Sequence, residues 1–250
     1  MKSKPRSYLL QQPFYIPTTK APQLLPTSVH LWLVNVRAPD SVALSTLAEK
    51  EIQRADKFRF PIDRHRFLRA RSILRLLLGD YLQTNPANID LAFGKEGKPY
   101  LSHFPEWHFN LSHSGNWIVL AFRKMLPVGV DVEHIDPAAP FDELTTACFT
   151  NTEVSAWREL PGDLQPTAFF RSWTTKEAIM KADGRGVSLH PKNIQLTVDP
   201  TTSPNIEILE GKLGPKNWWT RAFMVADNYA AALAGKGKVE NIEFLHWLDG

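Results

Sequence analysis

The order of the predicted elements is the feature that most limits the folds open to this chain of 250 residues. A strand, a long helix and a hairpin come first, and a strand, a second long helix and several further strands follow. This order predicts an α+β fold with two similar halves, each a small, mostly antiparallel sheet packed against a long helix. We place the halves at residues 29–127 and 128–250, after a proline-rich, extended arm over residues 1–28.

Apolar residues at helical spacing predict three helices, over residues 44–60, 63–82 and 169–182. In the second of these helices, the apolar side chains make one face and the arginines make the other. Gly184 is expected to end the third helix, because glycine readily adopts the left-handed conformation that follows a helix. The segment Thr150–Glu153 is a capping box, which predicts that a further helix begins there.

Strands are predicted from alternating and short, continuous apolar segments. Residues 108–122 form a predicted hairpin, whose turn is Ser114-Gly115-Asn116. The other predicted strands cover residues 30–36, 128–133, 194–198, 206–210, 218–225 and 229–234. We expect the strand at 229–234 to be the last one in the core, because the alternation that follows it is weak.

The composition excludes several classes of protein. Cys148 is the single cysteine, so the chain contains no internal disulfide and no cysteine-based zinc cluster. The basic first residues are not followed by the apolar stretch of a signal peptide. The longest apolar run, Trp117–Phe122, is too short to cross a membrane. We therefore expect a cytoplasmic protein without a membrane segment.

Positive charge is concentrated in one segment. The formal net charge is only +3, and such an average argues against a dedicated nucleic-acid-binding protein. Arg54–Arg75, however, contains eight basic and two acidic side chains in 22 residues, a net charge of +6. Helical spacing distributes these arginines around the helix, so that some must point inward or toward a ligand. Arginine is suited to bidentate contacts with phosphate.

Two carboxylates are predicted to lie together on one strand. Asp131 and Glu133 are two residues apart, so their side chains project to the same face. Like charges at that separation are unfavourable unless a cation lies between them. Oxygen ligands without a nearby cysteine favour Mg²⁺ or Mn²⁺ over zinc. The alternative is an exposed, acidic edge strand that binds nothing.

The third predicted helix carries a further charged group. Trp173, Glu177 and Lys181 are spaced four apart and therefore share one helix face. The tryptophan indicates that this face is partly buried, where a Glu–Lys pair is costly without a partner such as a metal or a phosphate. A surface Glu–Lys pair of little energetic value is the alternative. Lys176 falls on a different face and fits an ordinary solvent-exposed charge.

Two short segments are compatible with anion binding. Ser112-His113-Ser114 lies at the predicted hairpin turn, where backbone N–H groups and an imidazole can face an anion. A histidine with a purely structural hydrogen bond is an equally good interpretation. No Gly-x-Ser-x-Gly motif precedes this serine, which argues against a hydrolase triad in this segment. Gly97-Lys98-Pro99 fixes a lysine in a turn, but this motif carries little information alone.

Together, these segments resemble the 4′-phosphopantetheinyl transferases, and within them the longer type that activates surfactin synthetase and similar carrier proteins. The motifs that carry the resemblance are Gly97-Lys98-Pro99, Asn110-Leu-Ser112-His113-Ser114, Gly129-Val-Asp131-Val-Glu133 and Trp173-Thr-Thr-Lys176-Glu177-Ala-Ile-Met-Lys181. Their order and spacing match the family, as does the basic segment that precedes them. The resemblance implies a pseudo-dimer of two similar halves, with one active site at their interface.

The resemblance also implies a reaction. Enzymes of this family transfer the 4′-phosphopantetheine arm of coenzyme A to a serine of an apo acyl or peptidyl carrier protein, and release adenosine 3′,5′-bisphosphate. This is the holo-[acyl-carrier-protein] synthase type of activity, and it depends on Mg²⁺. Asp131, Glu133 and Glu177 would hold Mg²⁺, or Mn²⁺, on the pyrophosphate. Glu177 would accept the serine proton, and Lys181 would neutralise the pyrophosphate and the leaving group.

The remaining site residues are also implied by the resemblance. The residues that would bind coenzyme A at its 3′-phosphate and adenine end are Arg54, Lys57, Arg66, Lys98, Ser112 and His113. The stretch from His134 to Phe149 would meet the carrier protein, which is usually acidic in this family. We expect a monomer that binds neither nucleic acid nor a membrane.

Two other classes of function account for part of the sequence. A nucleic-acid-binding module would explain the basic segment, but Asp131, Glu133 and Glu177 would repel phosphates unless a metal were present. A Mg²⁺-dependent phosphohydrolase would explain the carboxylates. It would release phosphopantetheine from coenzyme A without any carrier protein.

Overall fold

The computed structural model describes residues 11–37, 43–95, 97–184, 189–201, 206–208 and 217–249. The strands in these residues are β1 (Ile16–Thr18), β2 (Ser28–Asn35), β3 (Leu91–Phe93), β4 (Pro99–Leu101), β5 (Trp107–Ser114), β6 (Trp117–Lys124), β7 (Val128–His134), β8 (Ile194–Leu196), β9 (Ile206–Ile208), β10 (Trp218–Ala226), β11 (Tyr229–Lys236) and β12 (Asn241–Trp247). The α-helices are α1 (Glu49–Ala55), α2 (Pro61–Leu82), α3 (Phe141–Cys148), α4 (Asn151–Arg158) and α5 (Gln165–Asp183). The expected α+β fold class is confirmed.

Two sheets form the centre of the molecule. The first has the strand order β1-β12-β2-β6-β5, and the second has the antiparallel order β10-β11-β7. The first sheet is mixed rather than mostly antiparallel, because β12 runs parallel to both of its neighbours, β1 and β2. The strands β3 with β4 and β8 with β9 form two small antiparallel pairs.

Helices cover the outer faces of the two sheets. Alternate residues of β2 face opposite ways: Trp32 and Val34 pack with α2, whereas Leu31 and Leu33 pack toward the second sheet. In β11, Ala232 packs with α5 on the other side of the molecule. The order of layers is therefore helix, sheet, sheet, helix, and the apolar core between the two sheets is shared by both.

Strands β5 and β7 lie side by side at the junction of the two sheets. Backbone N–H groups of β7 donate hydrogen bonds there to side chains of β5. The Val130 backbone N–H donates to Asn110 Oδ1 at 2.8 Å, and the His134 backbone N–H donates to Ser114 Oγ at 3.0 Å. Both acceptors lie on β5, and the two strands run in the same direction. Every second side chain of β5 therefore points at β7, in the segment that contains the predicted serine and histidine.

Several predicted elements are confirmed. The hairpin is formed by β5 and β6, and the capping box at Thr150 opens α4. The long helix α5 ends at Gly184, whose φ of +83° is left-handed. The strand that follows the hairpin is β7, as expected. Pro61 occupies the first turn of α2, where its missing N–H is not needed.

The predicted helix over residues 44–60 is wrong at both ends. A single 3₁₀ turn covers Leu44–Thr46, and α1 begins only at Glu49. Between them, Leu47 and Ala48 are extended, because Thr46 is held by hydrogen bonds to the Ala43 carbonyl and to Ser72 of α2. Packing against α2 overrides the local helical pattern in this segment.

One further prediction is corrected. The last core strand is β12, not the strand at 229–234, because β12 lies between β1 and β2 and its Leu245 is buried. The expectation that some arginines of α2 point inward is confirmed, because Arg69, Arg71 and Arg75 are buried.

The two-half division stays a prediction. The C-terminal strand β12 belongs to the same sheet as β2, β5 and β6, so the first sheet contains segments from both predicted halves. Residues 1–10 of the predicted proline-rich arm lie outside the described residues, and the rest of the arm contributes the edge strand β1. No helix among the described residues is long and apolar enough to span a membrane.

Candidate active site

A cleft of about 550 Å³ opens between segments from the two predicted halves. Residues between 71 and 111 line one side, and residues between 173 and 191 line the other. Its wall includes Lys98 from the loop before β4, and Trp173, Glu177 and Lys181 from α5. Such a cleft has the size of a typical small-molecule site.

Gly129 allows α5 to lie directly on β7. A Cβ atom at this position would run into the Ala178 carbonyl oxygen and would lie 2.5 Å from the Ala182 backbone nitrogen. Asp131 and Glu133 follow at spacings of two and therefore share this face of the strand. In the sequence, Gly129 stands out only as part of the Gly129–Glu133 motif. A glycine on the same strand face as two carboxylates is the signal that another backbone approaches there.

Asp131 is 3% exposed, and only one of its two carboxylate oxygens accepts hydrogen bonds from described residues. Its Oδ1 accepts hydrogen bonds from Lys181 Nζ at 2.6 Å and from Ser112 Oγ at 2.7 Å. Its Oδ2 is buried and has no hydrogen-bond partner among the described residues. Three predicted site residues, from β5, β7 and α5, are thus brought into contact at this carboxylate.

The other two predicted metal ligands are electrostatically linked to Asp131. Burial and then the Asp131 charge raise the pKa of Glu133 to about 7, while the Ser114 hydroxyl, 3.0 Å from Glu133 Oε2, acts in the opposite direction. Burial and then Asp131 also raise the pKa of Glu177, and Lys181 opposes this shift. The carboxylates therefore repel one another, and a cation bound between them would remove this repulsion.

In the described part of the chain, no three His, Cys, Asp or Glu side chains are arranged closely enough to form a metal site. The chemistry of the group nevertheless fits a hard cation such as Mg²⁺. The donors are all oxygens, Asp131 Oδ2 lacks a partner among the described residues, and burial and then like charge raise the pKa values of Glu133 and Glu177. The Lys181 ammonium pairs with Asp131 and balances part of the negative charge of this group.

Lys98 reaches α5 from the opposite side of the cleft. Its Nζ donates to the Lys181 backbone carbonyl at 2.5 Å. Burial and then the Lys181 charge lower the pKa of Lys98 to about 8, and Asp183 opposes the shift. An anion bound at Lys98 would be favourable, because it would offset the burial of the ammonium group and its repulsion with Lys181.

His113 and Arg66 lie near each other at the end of β5. Removal of the ring from water and then the Arg66 charge lower the pKa of His113. The Arg66 guanidinium pairs with Asp63 at 2.8 Å. The ring is only partly removed from water, because the His113 residue as a whole is exposed, so an incoming ligand can reach its imidazole.

Arg54 and Lys57 lie at the C-terminal end of α1, and both residues are exposed. The Arg54 guanidinium stacks on the Phe67 ring, with 5.4 Å between its carbon and the ring centroid. Lys57 forms no ion pair with any residue that the structure describes. The structure thus brings Asp131, Ser112 and Lys181 into direct contact, whereas it leaves Arg54 and Lys57 at the surface.

Comparisons with known proteins identify the family. A model of the N-terminal region of 4′-phosphopantetheinyl transferases matches residues 37–125, and a model of the 4′-phosphopantetheinyl transferase superfamily matches residues 127–234. The 4′-phosphopantetheinyl transferase HetI of Nostoc is 33% identical over 230 residues, which are 90% of this chain and 94% of HetI. The chain belongs to the 4′-phosphopantetheinyl transferase superfamily. The resemblance inferred from the motifs is confirmed.

Other members of the superfamily show similar likeness. The transferase Sfp of Bacillus subtilis is 28% identical over 165 residues, covering 66% of this chain and 72% of Sfp. The L-aminoadipate-semialdehyde dehydrogenase-phosphopantetheinyl transferase of Xenopus laevis is 30% identical over 209 residues, covering 78% of this chain and 69% of that protein. The similarity to these relatives and to HetI fits the longer type within the superfamily.

Lys176 of the superfamily motif is not a solvent-exposed charge, and the expectation from helix spacing is wrong. It is 0% exposed, and its ammonium donates to Glu153 Oε2 at 2.6 Å. The carbonyls of Cys148 and Pro191 accept from it at 2.9 and 3.1 Å. Spacing places Lys176 away from Lys181, but it cannot show that α4 covers the face on which Lys176 lies.

The segment expected to meet the carrier protein contains α3. It lies between β7, which carries Asp131, and α4, which carries Glu153. Its last helical residue is Cys148, whose carbonyl accepts from Lys176. The segment is thus joined to α5 through a buried ammonium group.

Proposed function

We propose that this chain transfers the 4′-phosphopantetheine group of coenzyme A to a serine of an apo acyl or peptidyl carrier protein. Adenosine 3′,5′-bisphosphate is the other product. The observation that carries the proposal is the meeting of Lys181 with the carboxylates of β7 and α5 beside a cleft. Membership of the superfamily, and the transferase name of HetI over 94% of its length, support the same reaction.

Asp131, Glu133 and Glu177 are the residues proposed to hold Mg²⁺, with Mn²⁺ as a substitute. Their all-oxygen donor set and the buried, unpartnered Oδ2 of Asp131 fit such an ion. When bound, the ion neutralises pyrophosphate charge and favours displacement at phosphorus. Phosphate oxygens and water would complete its coordination, since Mg²⁺ is usually bound by only one or two carboxylates.

Two residues of α5 would accept the proton and neutralise the charge that the reaction produces. The serine Oγ forms a bond to the phosphorus of the phosphopantetheine group, and the bond from that phosphorus to the adenosine bisphosphate oxygen breaks. Glu177 accepts the serine proton, directly or through a water molecule, and its raised pKa suits a general base. Lys181 donates to the pyrophosphate and balances the charge that develops on the leaving oxygen.

The other predicted residues would bind the distant end of coenzyme A. The proposed contacts of the 3′-phosphate and adenine are Arg54, Lys57, Arg66, Lys98, Ser112 and His113. Binding energy at this end orients the pyrophosphate for in-line attack, although it lies away from the reacting bond. Burial and then the Arg66 charge lower the pKa of His113, and a bound phosphate would act in the opposite direction, because negative charge favours the protonated imidazole.

The proposed partner is an acidic carrier protein, and the proposed docking segment is the stretch from His134 to Phe149. The hydrogen bond from Lys176 to the Cys148 carbonyl supports the assignment, because it joins this segment to α5, the helix that carries Glu177 and Lys181. We further propose that the enzyme is a cytoplasmic monomer. A single cysteine, buried Cys148, suits a reducing compartment.

Replacing Asp131 tests the proposal. We expect Asp131→Ala to fold, because the substitution removes an unpartnered oxygen and reduces repulsion with Glu133 and Glu177. Transfer of label from fluorescent coenzyme A to a panel of apo carrier proteins should fall by about 1000-fold with Mg²⁺ present. Asp90→Ala, an exposed aspartate outside the cleft, serves as the matched control and should retain transfer.

Two results would contradict the proposal. Full transfer by Asp131→Ala in the presence of Mg²⁺ would remove Asp131 from the site. A wild-type protein that labels no carrier but releases phosphopantetheine from coenzyme A would instead be a phosphohydrolase.

A further inference from the structure

Three arginines on α2 are buried, and two of them are fully accounted for by the fold. Arg75 donates from Nε to Glu51 at 2.7 Å, and from Nη1 to the carbonyls of Pro86 and Ile89 at 3.0 and 2.9 Å. Arg69 donates to the Asn35 carbonyl at 2.6 Å and to Asp249 at 2.8 Å. These two guanidinium groups connect α2 to neighbouring segments, which explains their burial.

Arg71 differs from both of its neighbours on the helix. It is 7% exposed, yet it makes no hydrogen bond or ion pair with any residue in the described ranges. Its Nη1 atom is completely buried and has no hydrogen-bond partner among the residues that the structure describes. A buried guanidinium without acceptors is rare in folded proteins and calls for an explanation.

Aromatic rings hold Arg71 in place. Its guanidinium carbon lies 5.5 Å from the centroid of the Phe67 ring and 5.6 Å from that of the Phe93 ring. Cation–π contacts of this kind favour the charge and fix the plane of the group, but they leave its N–H donors unused. The fold therefore orients this arginine without satisfying it.

Arg71 also lines the cleft, on the same wall as Lys98. A second cation is close by, because Arg54 stacks on the Phe67 ring as well, at 5.4 Å. Burial lowers the pKa of Arg71; Glu51 opposes this, whereas Arg54 and Arg75 add to it. An anionic ligand would be favourable here, because it would accept hydrogen bonds from the Arg71 N–H groups and reduce the repulsion among Arg54, Arg71 and Arg75.

We propose that Arg71 binds a phosphate group of coenzyme A. Its planar, aromatic-held guanidinium donates hydrogen bonds to phosphate oxygens that enter the cleft. The inference rests on the proposed function, since it takes coenzyme A as the ligand. The 3′-phosphate and the pyrophosphate offer the same oxyanion chemistry, and the experiment below separates them.

The test is to replace Arg71 with methionine and to measure binding by calorimetry. Arg71→Met keeps an unbranched side chain between the two rings and removes the charge. The Kd for coenzyme A should rise by about 10- to 100-fold, as expected for loss of charge-assisted hydrogen bonds. A rise for coenzyme A but not for 3′-dephospho-coenzyme A assigns Arg71 to the 3′-phosphate. An equal rise for both assigns it to the pyrophosphate.

A stability measurement separates ligand binding from a structural role. Without ligand, the Tm of Arg71→Met should equal or exceed that of the wild type, because an unsatisfied buried charge is removed. The increase in Tm on adding coenzyme A should shrink. Arg64→Met is the matched control on the same helix: Arg64 is exposed and pairs with Asp56, and its loss should leave the Kd unchanged.

Three outcomes would overturn the inference. An unchanged Kd in Arg71→Met would show that no phosphate depends on this side chain. A large fall in Tm with an unchanged Kd would instead indicate an ion pair with Glu51, whose Oε1 atom also lacks a partner. Failure of both Arg71→Met and the charge-retaining Arg71→Lys to fold would likewise make Arg71 a structural residue.

The wild-type protein separates this inference from the proposed function. If the wild type does not bind coenzyme A, the proposed function fails. If the wild type binds coenzyme A and Arg71→Met binds it equally well, only the role of Arg71 fails.

Discussion

Two lysine–carboxylate pairs on α5 differ in how completely their hydrogen bonds are satisfied. Lys176 with Glu153 and Lys181 with Asp131 have the same N–O distance of 2.6 Å. Lys176 uses three acceptors, and both Glu153 oxygens accept, from Lys176 and Thr150 on one side and from Leu196 on the other. Asp131 retains an oxygen without a hydrogen-bond partner in the part of the chain that the structure describes.

The two pairs have the same kinds of charged group and the same N–O distance. They differ in whether every hydrogen-bonding atom has a partner, and this difference distinguishes the structural pair from the pair at the proposed site. The Lys176–Glu153 pair is closed on all sides and fixes α4 and the segment around Pro191 against α5. In the Lys181–Asp131 pair, Lys181 lines the cleft, and Asp131 Oδ2 has no hydrogen-bond partner among the described residues. Arg75 and Arg71 on α2 repeat the same contrast.

The largest effect is expected from breaking the closed pair. Lys176→Met leaves Glu153 buried without its counter-charge, so the free energy of unfolding should fall by about 3–5 kcal/mol. Urea denaturation followed by circular dichroism measures this loss. The double variant Lys176→Met with Glu153→Gln removes both charges and should recover part of the stability.

Lys181→Met is the matched change in the Lys181–Asp131 pair, and it should reverse the pattern. Stability should fall by only about 1–2 kcal/mol, because Asp131 keeps its bond to Ser112. The rate of phosphopantetheine transfer should fall by about 100- to 1000-fold. Equal losses of stability in the two lysine variants would remove the distinction between the pairs.

An intermediate effect is expected from moving α5 as a whole. Gly129→Ala places a Cβ against the α5 backbone, so the helix must shift away from β7 at a cost of about 1–3 kcal/mol. Transfer activity should fall as well, because the shift separates Glu177 and Lys181 from Asp131. Gly162→Ala is the control, since no atom lies within 4 Å of a Cβ placed there. Unchanged Tm and activity in Gly129→Ala would contradict the close packing.

The smallest effect concerns the proton on Lys98. With its pKa lowered to about 8, Lys98 is charged at pH 7 and loses its charge above pH 8. The KM for coenzyme A should therefore rise by about tenfold between pH 8 and pH 9.5, and Lys98→Arg should extend tight binding to higher pH. A KM that is independent of pH in this range would exclude a charged Lys98 from the site.

The same shift has a consequence for stability with a definite sign. Between pH 8 and the usual lysine pKa of 10.5, the unfolded chain binds more protons at this position than the folded protein does. The contribution of Lys98 to stability therefore increases as the pH rises through this range.

The sequence predicted what depends on local pattern. The hairpin, α5, its glycine end and the capping box of α4 follow from spacing and turn chemistry within a few residues. The shared strand face of Asp131 and Glu133 has the same origin. These features need no knowledge of the rest of the chain.

Long-range packing accounts for what the sequence did not predict. The burial of Lys176 depends on α4 and on the carbonyl of Pro191, and the burial of Arg75 depends on Glu51 of α1. The segment at Leu47 is extended because Thr46 and Ser72 interact across 26 residues. Strand β12 pairs with β1 and β2 from the other end of the chain, and its weak alternation did not reveal this pairing.

The position of β12 has a consequence for the order of folding. This strand leaves the ribosome after every other element described above, yet it must insert beside β2 in the first sheet. Until then, β2 presents an open edge, and the loop that closes this pairing is about 200 residues long, which makes the step slow. During synthesis, the nascent chain therefore depends on protection of that edge, and slow insertion of β12 would favour aggregation over the native state.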